Sequence, residues 1–231
     1  MLNLQKIEAG YGESMVVRNV NLQVKPGQIV CLLGRNGVGK STLLKSIMGL
    51  IKPKFGSIYF NERNITSFPT DRRAKSGIGY VPQGREIFPQ LTVEENLLLG
   101  LEAATDGRKK TPDSLFDTFP VLRQMLHRKG GDLSGGQQQQ LAIARALALG
   151  PTLLLLDEPM EGIQPSIVME IEAFIESIKR NREIAVLLVE QSLEFATNIA
   201  DYYYVLDRGK IAAEGRTDHL NEEQVRKHLT V

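Results

Sequence analysis

The sequence of 231 residues contains no tryptophan, a single cysteine and only three histidines. A single cysteine excludes an intramolecular disulfide and suits a reducing compartment. Cys31 lies in an apolar stretch, so we interpret it as a small buried residue rather than a reactive thiol. The 28 Lys and Arg nearly balance the 27 Asp and Glu, and a net charge of +1 argues against nucleic acid held by bulk electrostatic attraction.

Long hydrophobic runs are also missing. No apolar run approaches the ~18 residues that a membrane-spanning helix needs. Residues 1–6 do not have the pattern of a secretory signal peptide. We therefore expect a soluble protein of the cytosol.

Short apolar runs alternate with helix-forming segments along the chain. Residues 29–33, 153–156 and 185–189 are continuous apolar runs, which is the pattern of strands in a parallel sheet covered on both faces. Between the last two runs, apolar residues recur at helical spacing from 167 to 178, which predicts a helix packed over that sheet. Residues 202–213 contain a turn between two strand-like stretches and predict a hairpin. These patterns together predict an α/β fold.

The segment from about 84 to 131 differs from the rest. It has few strand-like runs, several charged stretches and a loop-like region at 106–112. We predict that this segment is a mostly helical insertion. We interpret the tail at 222–228 as a solvated helical end.

A glycine-rich segment follows the first buried strand and precedes a helix. It fits the P-loop pattern of Gly, four residues, Gly, Lys and Ser through Gly34, Arg35, Asn36, Gly37, Val38, Gly39, Lys40 and Ser41. Glycines let backbone N–H groups curl around phosphate oxygens, and the following helix presents its positive N-terminus to them. In this pattern Lys40 reaches the terminal phosphates and the Ser41 hydroxyl ligates Mg²⁺. The segment therefore predicts a nucleotide-binding site.

Two carboxylates follow the buried run at 153–156. Asp157 is placed to hold Mg²⁺ through water, as Walker B acids do. Glu158 is placed to orient and polarise the attacking water, because in-line phosphoryl transfer needs mainly positioning and charge compensation. The pair predicts hydrolysis of the bound nucleotide, with Glu158 as a catalytic residue.

A second anion-binding pattern precedes the helix predicted at 138–149. It consists of Leu133, Ser134, Gly135, Gly136 and Gln137. A serine and glycines at a helix N-terminus can bind an anion through backbone N–H groups. One chain thus carries two phosphate-binding patterns.

With these motifs in this order, essentially the whole chain resembles the ABC (ATP-binding cassette) ATPases, in which residues 133–137 match the signature segment. Tyr11 matches the aromatic residue that stacks on adenine, and Gln83 matches the Q-loop glutamine that approaches Mg²⁺ and the membrane partner. The resemblance implies a single RecA-like P-loop NTPase domain, with a core at 1–83 and 150–231 and a helical subdomain at about 84–149. It also implies ATP as substrate, Thr42 as a further nucleotide-binding residue, and Mg²⁺ held by Ser41, Gln83 and Asp157.

The family resemblance further implies how such a chain works. Two cassettes pair head-to-tail, and the signature segment of each caps the ATP in the P-loop of the other. ATP closes the dimer and hydrolysis reopens it, which drives two transmembrane permease subunits. We therefore expect a peripheral subunit on the cytoplasmic side of the membrane that touches the permeases through its helical subdomain, and a substrate-binding protein that acts indirectly.

Two positions depart from the common family pattern. Gln191 stands where most cassettes place a histidine that contacts the γ-phosphate, and Gln164 stands where the D-loop has an Asp. A glutamine can donate a hydrogen bond but cannot become cationic. We therefore expect a heterodimer in which a second cassette keeps the histidine, while the isolated chain could also form a homodimer.

At these two positions the sequence resembles the second ATPase subunit of branched-chain amino acid importers. Within that group, the strings at 84–89, 119–132 and 164–167 look most like the urea-transporter ATPase. We therefore expect an importer of urea, with branched-chain amino acids (Leu, Ile, Val) as the second candidate substrate. The chain could also serve an exporter, or it could be a soluble ABC ATPase acting on nucleic acid or ribosomes, which the single cassette and the missing basic block disfavour.

Overall fold

The computed structural model describes residues 1–229. These residues form two sheets, nine α-helices and two short 3₁₀ helices. The strands are β1 (Leu2–Tyr11), β2 (Ser14–Val24), β3 (Ile29–Leu33), β4 (Phe55–Phe60), β5 (Arg63–Asn64), β6 (Ile78–Val81), β7 (Leu153–Asp157), β8 (Ala185–Glu190), β9 (Tyr202–Asp207) and β10 (Lys210–Arg216). The helices are α1 (Lys40–Met48), α2 (Thr70–Lys75), α3 (Val93–Leu101), α4 (Asp113–Thr118), α5 (Pro120–Gln124), α6 (Gly135–Ala148), α7 (Pro165–Asn181), α8 (Leu193–Ile199) and α9 (Glu222–Leu229).

The larger sheet has the strand order β10-β9-β3-β8-β7-β6. Strands β9, β3, β8, β7 and β6 pair in parallel, and β10 adds to β9 as the antiparallel hairpin that the sequence predicts. The smaller sheet, with order β2-β1-β4-β5, is antiparallel throughout. The carboxyl ends of β3, β6, β7 and β8 therefore meet at one edge of the parallel sheet.

The central strands are apolar because both of their faces are covered. Every residue of β3, β7 and β8 is buried. Alternate residues of β3 enter two separate apolar clusters: Val30 and Leu32 pack with α1 and the antiparallel sheet, whereas Ile29, Cys31 and Leu33 pack with α6, α7 and α8. Burial raises the pKa of the Cys31 thiol well above its usual range. This agrees with the interpretation of Cys31 as a small buried residue rather than a reactive thiol.

Helix α1 is fixed at its C-terminal end by an arginine from α2. The chain leaves the helix at Gly49, with a φ of 78° that favours glycine. The buried Arg73 guanidinium donates to the carbonyl oxygens of Ser46 and Ile47 over 2.8 and 2.7 Å. These bonds satisfy carbonyl groups that the end of a helix leaves free, so α1 is held firmly behind the loop that precedes it.

Helices α3 to α6 lie between β6 and β7 in the chain. Helix α3 begins with a capping box, in which Thr92 and Glu95 each bond to the backbone N–H of the other. Helix α6 begins with the same device, made by Ser134 and Gln137. None of the helices within residues 1–229 combines the length and the apolar character that a membrane span requires.

Candidate functional site

The glycine-rich segment wraps around the Lys40 ammonium group. Residues 34–39 join β3 to α1, and Lys40 is the first residue of that helix. Its Nζ donates to the carbonyl oxygens of Gly34 and Arg35 over 2.7 and 2.9 Å. These bonds fix the loop into a ring whose backbone N–H groups and helix N-terminus suit a phosphate group.

Two glycines make this loop possible. Gly37 and Gly39 have φ values of 79° and 111°, in the region that favours glycine. A Cβ at Gly39 would also lie 3.1 Å from Cγ1 of Val16 in β2. The antiparallel sheet therefore closes one side of the loop, and a larger residue at position 39 would strain the backbone and crowd this contact.

Ser41 and Asp157 form an oxygen-rich pair beside the loop. The Ser41 hydroxyl group donates to Oδ1 of Asp157 over 3.2 Å. Oδ2 of Asp157 is buried and has no hydrogen-bond partner within the described residues 1–229. Burial raises the pKa of the Asp157 carboxyl, the Glu158 charge adds to this effect, and the Ser41 hydroxyl opposes it. A hard cation such as Mg²⁺ prefers oxygen ligands of this kind, so the pair fits the metal that the motif predicts.

Glu158 lies at the carboxyl end of β7 and faces Lys40. Its φ of 47° turns the chain sharply, and its N–H donates to the carbonyl oxygen of Val189 in β8 over 3.0 Å. Oε1 forms an ion pair with Lys40 Nζ over 3.0 Å, and both side chains are only 4% exposed. A residue with a side chain in the left-handed region stores strain, and such strain clusters at functional sites.

Two amide side chains hold the other oxygen of Glu158. Oε2 accepts from Nε2 of Gln191 over 3.1 Å and from Nε2 of Gln83 over 3.3 Å. Gln83 also donates to Oε2 of Glu161 over 2.7 Å. The structure thus brings Gln83, Glu158 and Gln191 together. Sequence reasoning missed Glu161, whose only signal was its place three residues after Glu158.

An open cleft of about 410 Å³ lies in front of these groups. The cleft is lined by Tyr11, Val16, Asn36, Gly37, Gly39, Lys40, Ser41, Thr42, Gln83 and Glu158. Tyr11 is 54% exposed at its rim, which is the position of a ring that could stack on a planar base. The ammonium group of Lys40, the hydroxyl group of Ser41 and the carboxylate of Glu158 therefore border one space.

One residue that the sequence assigns to nucleotide binding, Arg35, has a side chain that bonds elsewhere. Arg35 donates through Nε to the carbonyl oxygen of His228 in α9 over 3.1 Å, and His228 Nδ1 lies 3.2 Å from Oδ2 of Asp207. Val225 of the same helix is buried. The tail is therefore a packed helix that contacts the loop, which corrects the interpretation of a merely solvated end.

The signature segment lies outside the residues that line this cleft. Ser134 and Gln137 cap the N-terminus of α6; Ser134 is exposed and Gln137 is half-buried. A Cβ at Gly136 would lie 2.6 Å from Cγ1 of Ile167, so α6 and α7 approach each other closely there. Residues 133–137 thus present a helix N-terminus on a surface other than the chain's own cleft.

Comparisons with known proteins agree with this geometry. A family model described as ABC transporter matches residues 17–161. The high-affinity branched-chain amino acid transport ATP-binding protein BraG of Pseudomonas aeruginosa is 40% identical over 212 residues, which cover 91% of each chain. The probable branched-chain amino acid transport ATP-binding protein LivF of Archaeoglobus fulgidus is 39% identical over 225 residues, which cover 97% of this chain and 95% of LivF.

Similarity extends to another transport system and to a solved structure. The lipopolysaccharide export system ATP-binding protein LptB of Haemophilus influenzae is 36% identical over 234 residues, which cover 98% of this chain and 95% of LptB. A solved ATP-binding subunit of an ABC transporter superposes with a TM-score of 0.86 at 27% identity, and each chain is covered completely. These matches confirm the predicted α/β P-loop NTPase fold and the ATPase class. The chain belongs to the ABC transporter family, as one of its ATP-binding ATPase subunits.

Proposed function

We propose that the chain is the ATP-hydrolysing, energy-coupling subunit of an importer of branched-chain amino acids. The observation that carries this proposal is the similarity to BraG, a branched-chain amino acid transport ATP-binding protein, and to LivF, a probable one, which align over more than nine-tenths of this chain. LptB, which serves an export system, is less similar. Short local strings of the sequence favoured urea as the transported substrate, but the comparisons give no support to it. They favour branched-chain amino acids instead.

In the proposed mechanism, ATP enters the cleft with its phosphates in the loop at 34–39. The phosphate oxygens would replace the Glu158 carboxylate as the partner of Lys40, because the buried Lys40 ammonium group lies against the loop that would hold them. Ser41 and Asp157 would hold Mg²⁺, which supplies positive charge to the phosphates when bound. The ring of Tyr11 at the rim stacks on the adenine.

Release from Lys40 lets Glu158 act as the catalytic carboxylate. Gln83 and Gln191 already donate to Oε2 of Glu158, and so they fix its orientation toward an attacking water. Gln191 also takes the position from which cassettes contact the γ-phosphate. Positioning of this kind is the main contribution that a protein makes to phosphoryl transfer.

The signature segment completes the site of a second cassette. Its helix N-terminus offers backbone N–H groups to the phosphates of the ATP bound in the partner, and the partner does the same in return. We propose a heterodimer that binds two permease subunits at the cytoplasmic face of the membrane. The helices between β6 and β7 form the subdomain, at about 84–149, that touches the permeases.

Uptake of labelled leucine and labelled urea by a strain that carries Lys40→Ala tests the substrate. Leucine uptake is expected to collapse, since Lys40 holds the phosphates, while urea uptake stays at the level of the parent strain. Lys52→Ala removes the same charge from an exposed position just beyond α1 and serves as the control. Loss of urea uptake alone would overturn the branched-chain assignment, and loss of neither would place the chain in another transport system.

A further inference from the structure

Arg85 lies two residues beyond Gln83 and contacts two other parts of the chain. Its φ of 73° is uncommon for a residue with a side chain. Nη1 of Arg85 donates to Oε1 of Gln138, in the first turn of α6, over 3.4 Å. Nη2 donates to the carbonyl oxygen of Gly162 over 3.3 Å. One side chain therefore joins the start of α6 to the loop that follows Glu158.

The glycines of the signature segment make room for this arrangement. A Cβ at Gly135 would lie 2.9 Å from Nη1 of Arg85 and 3.0 Å from Nη2. Gly136 packs against Ile167 of α7 in the same way. The first turn of α6 is therefore held from two directions, by Arg85 and by α7.

The position of the guanidinium is electrostatically unfavourable for the helix itself. The N-terminus of a helix carries a partial positive charge, so a cation beside it destabilises the helix. Ser134 already caps α6 by accepting from the N–H of Gln137. Helix capping therefore does not explain why the Arg85 guanidinium group lies beside α6, whereas its hydrogen bond to the carbonyl oxygen of Gly162 does.

Neighbouring contacts anchor the rest of the segment along α6. Arg145, near the far end of that helix, donates through Nη2 to the carbonyl oxygen of Glu86 over 2.8 Å. Its guanidinium carbon also lies 5.3 Å from the centre of the Phe88 ring. The segment at 85–88 is therefore attached to α6 at both ends of the helix.

We infer that Arg85 is a positioning residue that couples the two nucleotide-binding faces of the chain. This inference rests on the proposed function, in which the loop at 158–162 serves the chain's own ATP and the signature segment serves the partner's. Because Arg85 bonds to both, a shift of that loop around its own nucleotide moves the first turn of α6. The state of one site is thereby transmitted to the other.

Lysine is expected to fail as a replacement. An arginine presents a planar fork that can donate to two acceptors on separate segments, whereas a lysine ammonium is a compact point charge on a flexible stem. Arg85→Lys should therefore resemble Arg85→Ala. A residue that acted through its charge alone would be rescued by lysine.

The test measures Arg85→Ala and Arg85→Lys in the full chain assembled with its transporter partners. We expect kcat for ATP hydrolysis to fall about tenfold or more, because misplaced catalytic groups slow the reaction without weakening binding. The affinity for a fluorescent ATP analogue should change by less than about twofold. The Hill coefficient for ATP should fall to about 1 in both variants, since coupling between sites is lost.

Two further variants separate positioning from folding. Arg63→Ala removes an equal charge from an exposed position in β5, outside the subdomain proposed to touch the permeases, and should leave all three parameters unchanged. In a Gln138→Ala background, Arg85→Ala should slow hydrolysis less than it does alone, because the shared contact is already lost.

The inference would be overturned if Arg85→Ala kept the kcat and the Hill coefficient of wild type, or if Arg85→Lys restored them. It would also be overturned if the losses of kcat in Arg85→Ala and Gln138→Ala were additive in the double variant. A matching loss of nucleotide affinity would also overturn it, because the role would then be in binding or folding. A wild-type assembly that does not hydrolyse ATP would instead contradict the proposed function, so the two failures are distinguishable.

Discussion

Glu190 is a buried carboxyl group at the end of β8, next to Gln191. The residue is 9% exposed, Oε2 accepts from the N–H of Gln191 over 3.3 Å, and Oε1 has no hydrogen-bond partner within residues 1–229. Burial raises the pKa of Glu190 to about 7, the bond from Gln191 opposes this rise, and the Glu158 charge adds to it. The pKa of this carboxyl in the unfolded chain is near its ordinary value of 4.5.

This shift predicts that Glu190 destabilises the fold as the pH rises. Below pH 4.5 the carboxyl is protonated in both states, whereas above pH 7 the folded protein must bury a charge. The free energy of unfolding should therefore fall between these pH values, by about 3 kcal/mol from this group. Glu190→Gln should remove that fall, so that the variant is more stable than wild type at pH 8 and similar at pH 4.5.

Guanidinium chloride unfolding at pH 4.5 and pH 8 measures this difference. Glu183→Gln, at an exposed position just before β8, is the control and should track wild type at both pH values. An equal stability difference between Glu190→Gln and wild type at both pH values would contradict the shifted titration.

The site residues show which contacts a sequence can predict. Roles could be predicted for Lys40, Ser41, Asp157 and Glu158 because these predictions need only local geometry, namely a glycine loop before a helix and carboxylates after a buried strand. The bonds of Gln83 and Arg85 to the loop after Glu158 join residues 77 or 78 positions apart. Such contacts depend on the packing of the whole chain, and no local pattern signals them.

At the scale of elements, the parallel sheet was predictable and the antiparallel sheet was missed. Strands β3, β7 and β8 are continuous apolar runs because they are covered on both faces. Strands β1 and β2 pair with register shifts, and Lys6 and Asn19 within them have positive φ values. These irregularities break the alternation of polar and apolar residues that would have identified the strands.

Helix α9 is an element whose contribution to the site appears only in the structure. Val225 anchors it, and the carbonyl oxygen of His228 accepts from Nε of Arg35 in the glycine-rich loop at 34–39. We expect Val225→Asp to detach α9, because a charge cannot be buried there without a partner. The loss of one hydrogen bond of about 1 kcal/mol corresponds to roughly fivefold weaker nucleotide binding.

Titration with a fluorescent ATP analogue checks this expectation. Gln224→Asp adds the same charge at the adjacent, exposed position and should bind nucleotide like wild type. Unchanged affinity in Val225→Asp would mean that α9 does not support the loop.

At the scale of the whole molecule, the chain carries the cleft lined by Lys40, Ser41 and Glu158 and, outside it, the signature segment, which we propose serves a partner's nucleotide. We propose that the transported substrate is recognised by other subunits, which explains why the sequence predicts the ATPase class well and the substrate poorly. The strings that suggested urea lie at 84–89, 119–132 and 164–167, largely in loops and short helices. Loops tolerate change without altering the nucleotide chemistry, whereas the similarity to BraG and LivF extends over nearly the whole chain.

We propose that this chain hydrolyses ATP in its own cleft with Glu158 as the catalytic carboxylate. Parallel measurement of ATP binding and ATP hydrolysis in wild type and Glu158→Gln tests this role. The variant should bind ATP at least as tightly as wild type, because Lys40 no longer has to leave an ion pair. Its hydrolysis should be slower by about 100-fold or more, as expected when a catalytic acid–base group is removed. Undiminished hydrolysis in Glu158→Gln would contradict the claim.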